Sequence, residues 1–140
     1  VVLASCGGSD PVKAYVDDVT SLMQEMTRRS IEELPPGTEP TRSQVTSIVE
    51  FRRSAVNELK EISPPDEFAV EHPALIAALD NLTTRSESFL EQTDGLDPDQ
   101  FLAALELSTD IDDLAATVAT VCRVWESRSA ELGLGRDLGC

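Results

Sequence analysis

Asp10-Pro11-Val12-Lys13-Ala14-Tyr15-Val16-Asp17-Asp18-Val19-Thr20-Ser21-Leu22-Met23-Gln24-Glu25-Met26 is the stretch that decides the fold. Asp10 followed by Pro11 is the order expected of a helix N-cap and first turn: the carboxylate accepts from free backbone N–H groups, and proline has none to offer. Val12, Val16, Val19, Met23 and Met26 then recur in steps of four and three, and Tyr15 and Leu22 widen the stripe. Asp17, Asp18, Gln24 and Glu25 fall outside it. This is one apolar face of an amphipathic helix. It runs to about Leu34, where Pro35-Pro36-Gly37 stops it.

The same grammar repeats downstream. A second helix is predicted from Thr41 or Ser43, with Val45, Ile48, Val49, Ala55, Val56, Leu59 and Ile62 as its stripe and Glu50, Arg53, Glu58 and Lys60 outward. Ser63-Pro64-Pro65 ends it. The third stripe is Phe68, His72, Leu75, Leu79, Leu82 and Phe89. Pro73 stands where it would break a helix interior, so a lead-in turn over residues 66–71 and a kink or restart at His72-Pro73 are expected. Thr93-Asp94-Gly95 closes this helix. Asp97-Pro98-Asp99-Gln100 starts the next, with Gln100 placed to complete a capping box.

An unbroken helix from Pro98 to Leu132 would reach about 52 Å, against about 30–36 Å for its partners. A short helix to Leu107 and a new start near Thr109 or Asp110 are therefore expected. The last helix carries Ile111, Leu114, Val118, Val121, Cys122, Trp125 and Leu132, and Gly133 stops it. The prediction is all-α: an up-and-down four-helix bundle with short extra helical turns before helices 3 and 4. No alternating strand pattern competes.

Leu3-Ala4-Ser5-Cys6 resembles a bacterial lipobox, the pattern cut by lipoprotein signal peptidase before a cysteine that receives a diacylglycerol. Val1, Val2 and Leu3 look like the end of a signal peptide's apolar region. Gly7-Gly8-Ser9 suits a flexible tether. The resemblance implies a signal-peptide remnant at residues 1–5, a lipidated Cys6 with tether at residues 6–10, and one helical-bundle domain at residues 11–140. The implied address is extracytoplasmic, with a membrane anchor made of lipid, inner or outer face unassigned. Residues 59–82 add a fainter resemblance to helical lipoproteins closed by a C-terminal disulfide.

Three cysteines are an odd number. With Cys6 given to lipid, Cys122 and Cys140 remain, and an oxidising compartment permits a disulfide between them. Eight residues after Leu132 are long enough to double back to Cys122. The other arrangement is a buried Cys122 and a free Cys140.

The chain is acidic, with 26 Asp and Glu against 11 Lys and Arg, a net charge of −15 and a pI near 4.2. That balance argues against nucleic acid as a partner and against basic attachment to anionic lipid. An envelope protein or a small ligand stays open as partner, and a monomer is expected.

His72, the only histidine, falls on an apolar stripe. A carrier of a small molecule, haem or metal would use it with Met23 and Met26, and Trp125 would line the same space. A satisfied core histidine and core methionines explain the same positions with less. No C-x-x-C-H or Glu-x-x-His motif supports a cofactor, so none is assigned. The acid clusters at residues 94–99 and 110–113 sit at helix starts, where they complement the helix dipole. No G-x-S-x-G and no nucleophile–base pair can be assembled, so no enzyme activity is assigned. The leading expectation is a non-enzymatic binding module tethered to a membrane.

Overall fold

The computed structural model describes residues 10–140, and its secondary structure there is entirely helical. Cys6, the signal-peptide remnant and the tether through Ser9 lie outside the described residues. The elements are α1 (Pro11–Glu33), α2 (Arg42–Glu61), a 3-10 turn (Asp66–Phe68), α3 (Glu71–Gln92), α4 (Pro98–Glu106) and α5 (Thr109–Glu131).

Three of the five described α-helices, α1, α2 and α4, start on a side-chain cap. The Asp10 carboxylate accepts from the Val12 amide at 3.0 Å, with Pro11 in the first turn. Thr41 and Gln44 form a reciprocal capping box on α2, as do Asp97 and Gln100 on α4. Gln44 also donates to the Glu33 carbonyl at 3.0 Å, which ties the start of α2 to the end of α1. Pro73 does not kink α3. The helix begins at Glu71, so Pro73 stands in the first turn, where a missing N–H leaves no bond unmade.

The expected break between α4 and α5 falls at Leu107-Ser108, with Leu107 81% exposed. The Ser108 hydroxyl turns back onto the Ala104 carbonyl, and Asp110 and Asp112 lie in the first turn of α5, against its dipole. Gly133, at φ 76°, closes α5. Its N–H reaches the Ala130 carbonyl at 2.9 Å, and that of Leu134 reaches Ser129 at 3.0 Å, the two bonds of a Schellman cap.

α2 packs between α1 and α3, and α3 packs on α5. The core is Tyr15, Val16, Val19 and Met23 from α1, Val56 and Leu59 from α2, Phe68, Leu75 and Leu79, and Cys122 and Trp125 from α5. One contributor comes from outside every helix. Leu138 is fully buried in the same cluster.

It is brought there by the segment after Gly133. Cys140 is joined to Cys122 in a disulfide with Cα atoms 6.3 Å apart. Arg136 meets Asp17 at 3.1 Å, Gln24 donates to the Asp137 carbonyl at 2.9 Å, and Thr27 donates to the Gly139 carbonyl at 3.3 Å. The Leu138 amide donates to Glu126 at 2.9 Å. Residues 134–140 thus follow α1 on one side while gripping α5 on the other, and Leu138 fills the seam between them.

Candidate functional site

His72 and Trp125 meet through a residue that the stripe alone does not single out. The Tyr15 hydroxyl is 2.9 Å from His72 Nδ1, and Trp125 Nε1 donates to the same oxygen at 3.1 Å. His72 Nε2 lies 3.1 Å from the Leu59 carbonyl, which can only accept. The proton assignment follows by elimination. Nε2 carries hydrogen and donates to Leu59, Nδ1 is bare and accepts from the Tyr15 O–H, and Tyr15 accepts from the indole.

The site is assembled from α1, α2, α3 and α5. Phe68, on the 3-10 turn, supplies its floor, with ring centroids 4.8 Å from Tyr15 and 5.1 Å from Trp125. His72 is 3% exposed, and Trp125 and Phe68 are fully buried. Burial is the first cause that moves both titrating groups. It lowers the His72 pKa below its ordinary 6.5, against weaker support for the charged form from the Leu59 and Ile62 backbone. It pushes the Tyr15 phenol up to about 12. Both are neutral near pH 7.

That state bears on the ligand question. The lone pair that a metal or haem iron would need on His72 is engaged by the Tyr15 O–H. Met23 belongs to the same core, but its Cα lies about 12 Å of helical rise beyond Tyr15. Met26 is partly buried at the edge of that core and lines a surface groove between α1 and α2. So the structure brings His72 and Trp125 together, keeps Met23 in the core above them, and turns Met26 toward the surface. No group of three His, Cys, Asp or Glu side chains among the described residues is placed to hold a metal ion.

Arginines form the second set of nodes. Arg42, at the start of α2, donates to the Thr93 carbonyl at 2.9 Å, to the Thr93 hydroxyl at 3.0 Å and to the Leu90 carbonyl. It thereby caps the C-terminus of α3 with positive charge, and its guanidinium lies 5.7 Å from the Phe101 ring centroid of α4. Arg53 binds Asp80 at 2.5 Å and Glu87 at 2.8 Å on α3, and Lys60 shares Asp80 at 3.3 Å. An outward position on α2 is thus an interhelical clamp.

Two further arginines, Arg85 and Arg52, divide. Arg85 crosses to Asp110 of α5 and lowers that carboxyl's pKa. Arg52 is half-buried, its closest polar contact is the Ser86 hydroxyl at 3.4 Å, and burial lowers its pKa.

Residues that sequence reasoning left out are Tyr15 as a hydrogen-bonding group, Arg42 and Leu138. A phenol on a buried stripe did carry a signal, because its O–H needs a partner and His72 is the polar group on the facing stripe. For Arg42, the only hint was a cation at a helix start, which opposes its own dipole unless it serves another helix's end. Comparison with known protein families, with curated proteins and with solved structures finds no match for this chain.

Proposed function

We propose that the protein is a lipid-anchored, extracytoplasmic binding module, held on a bacterial membrane through Cys6 and acting without catalysis. The observation that carries this reading is the pairing of Cys122 with Cys140, which accounts for two of the three cysteines and is compatible with lipid on the third, Cys6. That residue is also the one in the Leu3-Ala4-Ser5-Cys6 pattern. A disulfide suits an oxidising compartment, in agreement with a secreted address. In this reading lipid on Cys6 supplies the attachment; no described helix is long and apolar enough to cross a membrane.

The four long helices α1, α2, α3 and α5 are read as an up-and-down bundle, with α4 and the 3-10 turn as the short extra elements. Contacts of α1 with α2, α2 with α3 and α3 with α5 support that order. The C-terminal segment takes up the remaining seam. Side chains pack directly on one another around His72, Trp125 and Met23, which favours recognition on the surface over a ligand carried between the helices.

Metabolic labelling with an alkyne fatty acid in a bacterial host tests the reading. Label on the wild-type protein, lost in Cys6→Ser together with membrane association, supports it. Equal membrane association of an unlabelled Cys6→Ser protein overturns it.

A further inference from the structure

The seam between α1 and α2 holds a groove with an apolar floor and a charged rim. Its two parts share Leu22, Glu25 and Glu58 and enclose 540 Å³ and 230 Å³. Leu22 and Met26 of α1 face Phe51, Ala55 and Ile62 of α2 along the floor. All except Ala55 are only partly buried, so the floor keeps apolar surface in reach of solvent.

The rim is where this seam differs from its neighbour. Between α2 and α3, Asp80 and Glu87 both find bases on α2. Between α1 and α2, Asp18, Glu58 and Glu61 are exposed and have no ion-pair partner among the described residues. Glu25 is neutralised by Arg28 and Arg29, and Arg29 lies 5.4 Å from the Phe51 ring centroid at the far end. The groove therefore presents uncompensated negative charge at the end formed by Asp18 and Glu61, over an oily floor.

Charge and shape select the same occupant. The floor residues repeat at helical spacing on two helices, the surface into which a third helix packs by ridge and groove. From Asp18 to Arg29 the groove runs about 16 Å, or three turns of helix. We propose that this groove docks a basic amphipathic helix of a partner protein, its apolar side on Leu22, Met26 and Phe51 and its Lys or Arg side chains on Asp18, Glu58 and Glu61. The inference needs only the described groove and holds whether or not Cys6 carries lipid.

The test uses the full chain and a fluorescent synthetic helix of about 14 residues of Leu and Lys in amphipathic order. Anisotropy should report binding, and the triple variant Asp18→Asn/Glu58→Gln/Glu61→Gln should weaken it about tenfold. The control triple Glu106→Gln/Asp112→Asn/Asp113→Asn, which removes as many exposed carboxylates from α4 and α5, should leave binding unchanged. Methyl resonances of Leu22 and Met26 should shift on titration. Equal weakening by the two triples, or full displacement of the peptide by spermine with unmoved methyls, would reduce the contact to general polyanion attraction and overturn the proposal.

Discussion

Tyr15 donates its hydroxyl proton to His72 across 2.9 Å and so joins the first turns of α1 to the first turn of α3. The phenol oxygen also receives the Trp125 N–H at 3.1 Å, which brings in α5. Removing that oxygen leaves two buried polar groups without partners. Tyr15→Phe is expected to lose about 1–3 kcal/mol in urea unfolding, whereas an exposed pair of this kind would lose far less. Unchanged stability would mean that the network is not closed in solution.

The same geometry gives a pH dependence with a defined sign. The folded state holds His72 neutral and lowers its pKa below 6.5, so the unfolded chain binds the proton more readily. His72 therefore contributes stability that is fully present above pH 6.5 and is lost as pH falls through the lower folded pKa. An NMR titration of the His72 ring should have its midpoint below 6.5. Urea unfolding between pH 7 and 5 should show stability declining with acidification, and a midpoint above 6.5 would refute the assignment.

Cutting the disulfide should free the C-terminal segment before it unfolds the helices. The two cysteines are 18 residues apart in sequence, and closing a loop of that size contributes about 3 kcal/mol in the chain-entropy model. Cys140→Ser is expected to lose roughly that much and to raise amide exchange at Leu138, whose N–H is held by Glu126. Non-reducing peptide mapping should recover Cys122 linked to Cys140. Two alkylatable thiols there would contradict the pairing.

Arg42→Ala removes the cation that caps α3 and should cost about 1–2 kcal/mol, with fraying concentrated at Leu90 and Thr93. Arg42→Lys should recover only part, because an ammonium cannot span both carbonyls as the planar fork does. Full recovery by Arg42→Lys would show that charge alone accounts for the effect, and no recovery that the planar fork alone does.

Thr20 runs the other way. Its hydroxyl is buried with no hydrogen-bond partner among the described residues. Thr20→Val keeps the shape and removes the unmet polar group, so thermal unfolding is expected to rise, by about 1 kcal/mol of added stability. A marked loss would mean that the hydroxyl is satisfied in solution.

The helices were legible because local chemistry decides them. Asp10-Pro11, the Thr41 and Asp97 capping boxes, Pro64-Pro65 and Gly133 act within a few residues of themselves, and the stripes follow from a 3.6-residue period. In sequence Pro73 fits a kink or a restart equally; the start of α3 at Glu71, after the 3-10 turn, makes it a restart. The site was less legible because its bonds join distant parts of the chain. Tyr15 and His72 are 57 residues apart and Tyr15 and Trp125 are 110 apart, and no local pattern encodes that pairing. Leu138 sits in a segment without helical period, and it is buried because the cysteine link folds that segment back onto α1 and α5.

The intact mass of the protein recovered from membranes of its native host tests the proposed lipid anchor most directly. A lipid-anchored protein begins at Cys6 and carries the added mass of a diacylglycerol and an amine-linked acyl group, with Cys122 and Cys140 still joined. A chain that retains Leu3-Ala4-Ser5 ahead of an unmodified Cys6 would contradict it.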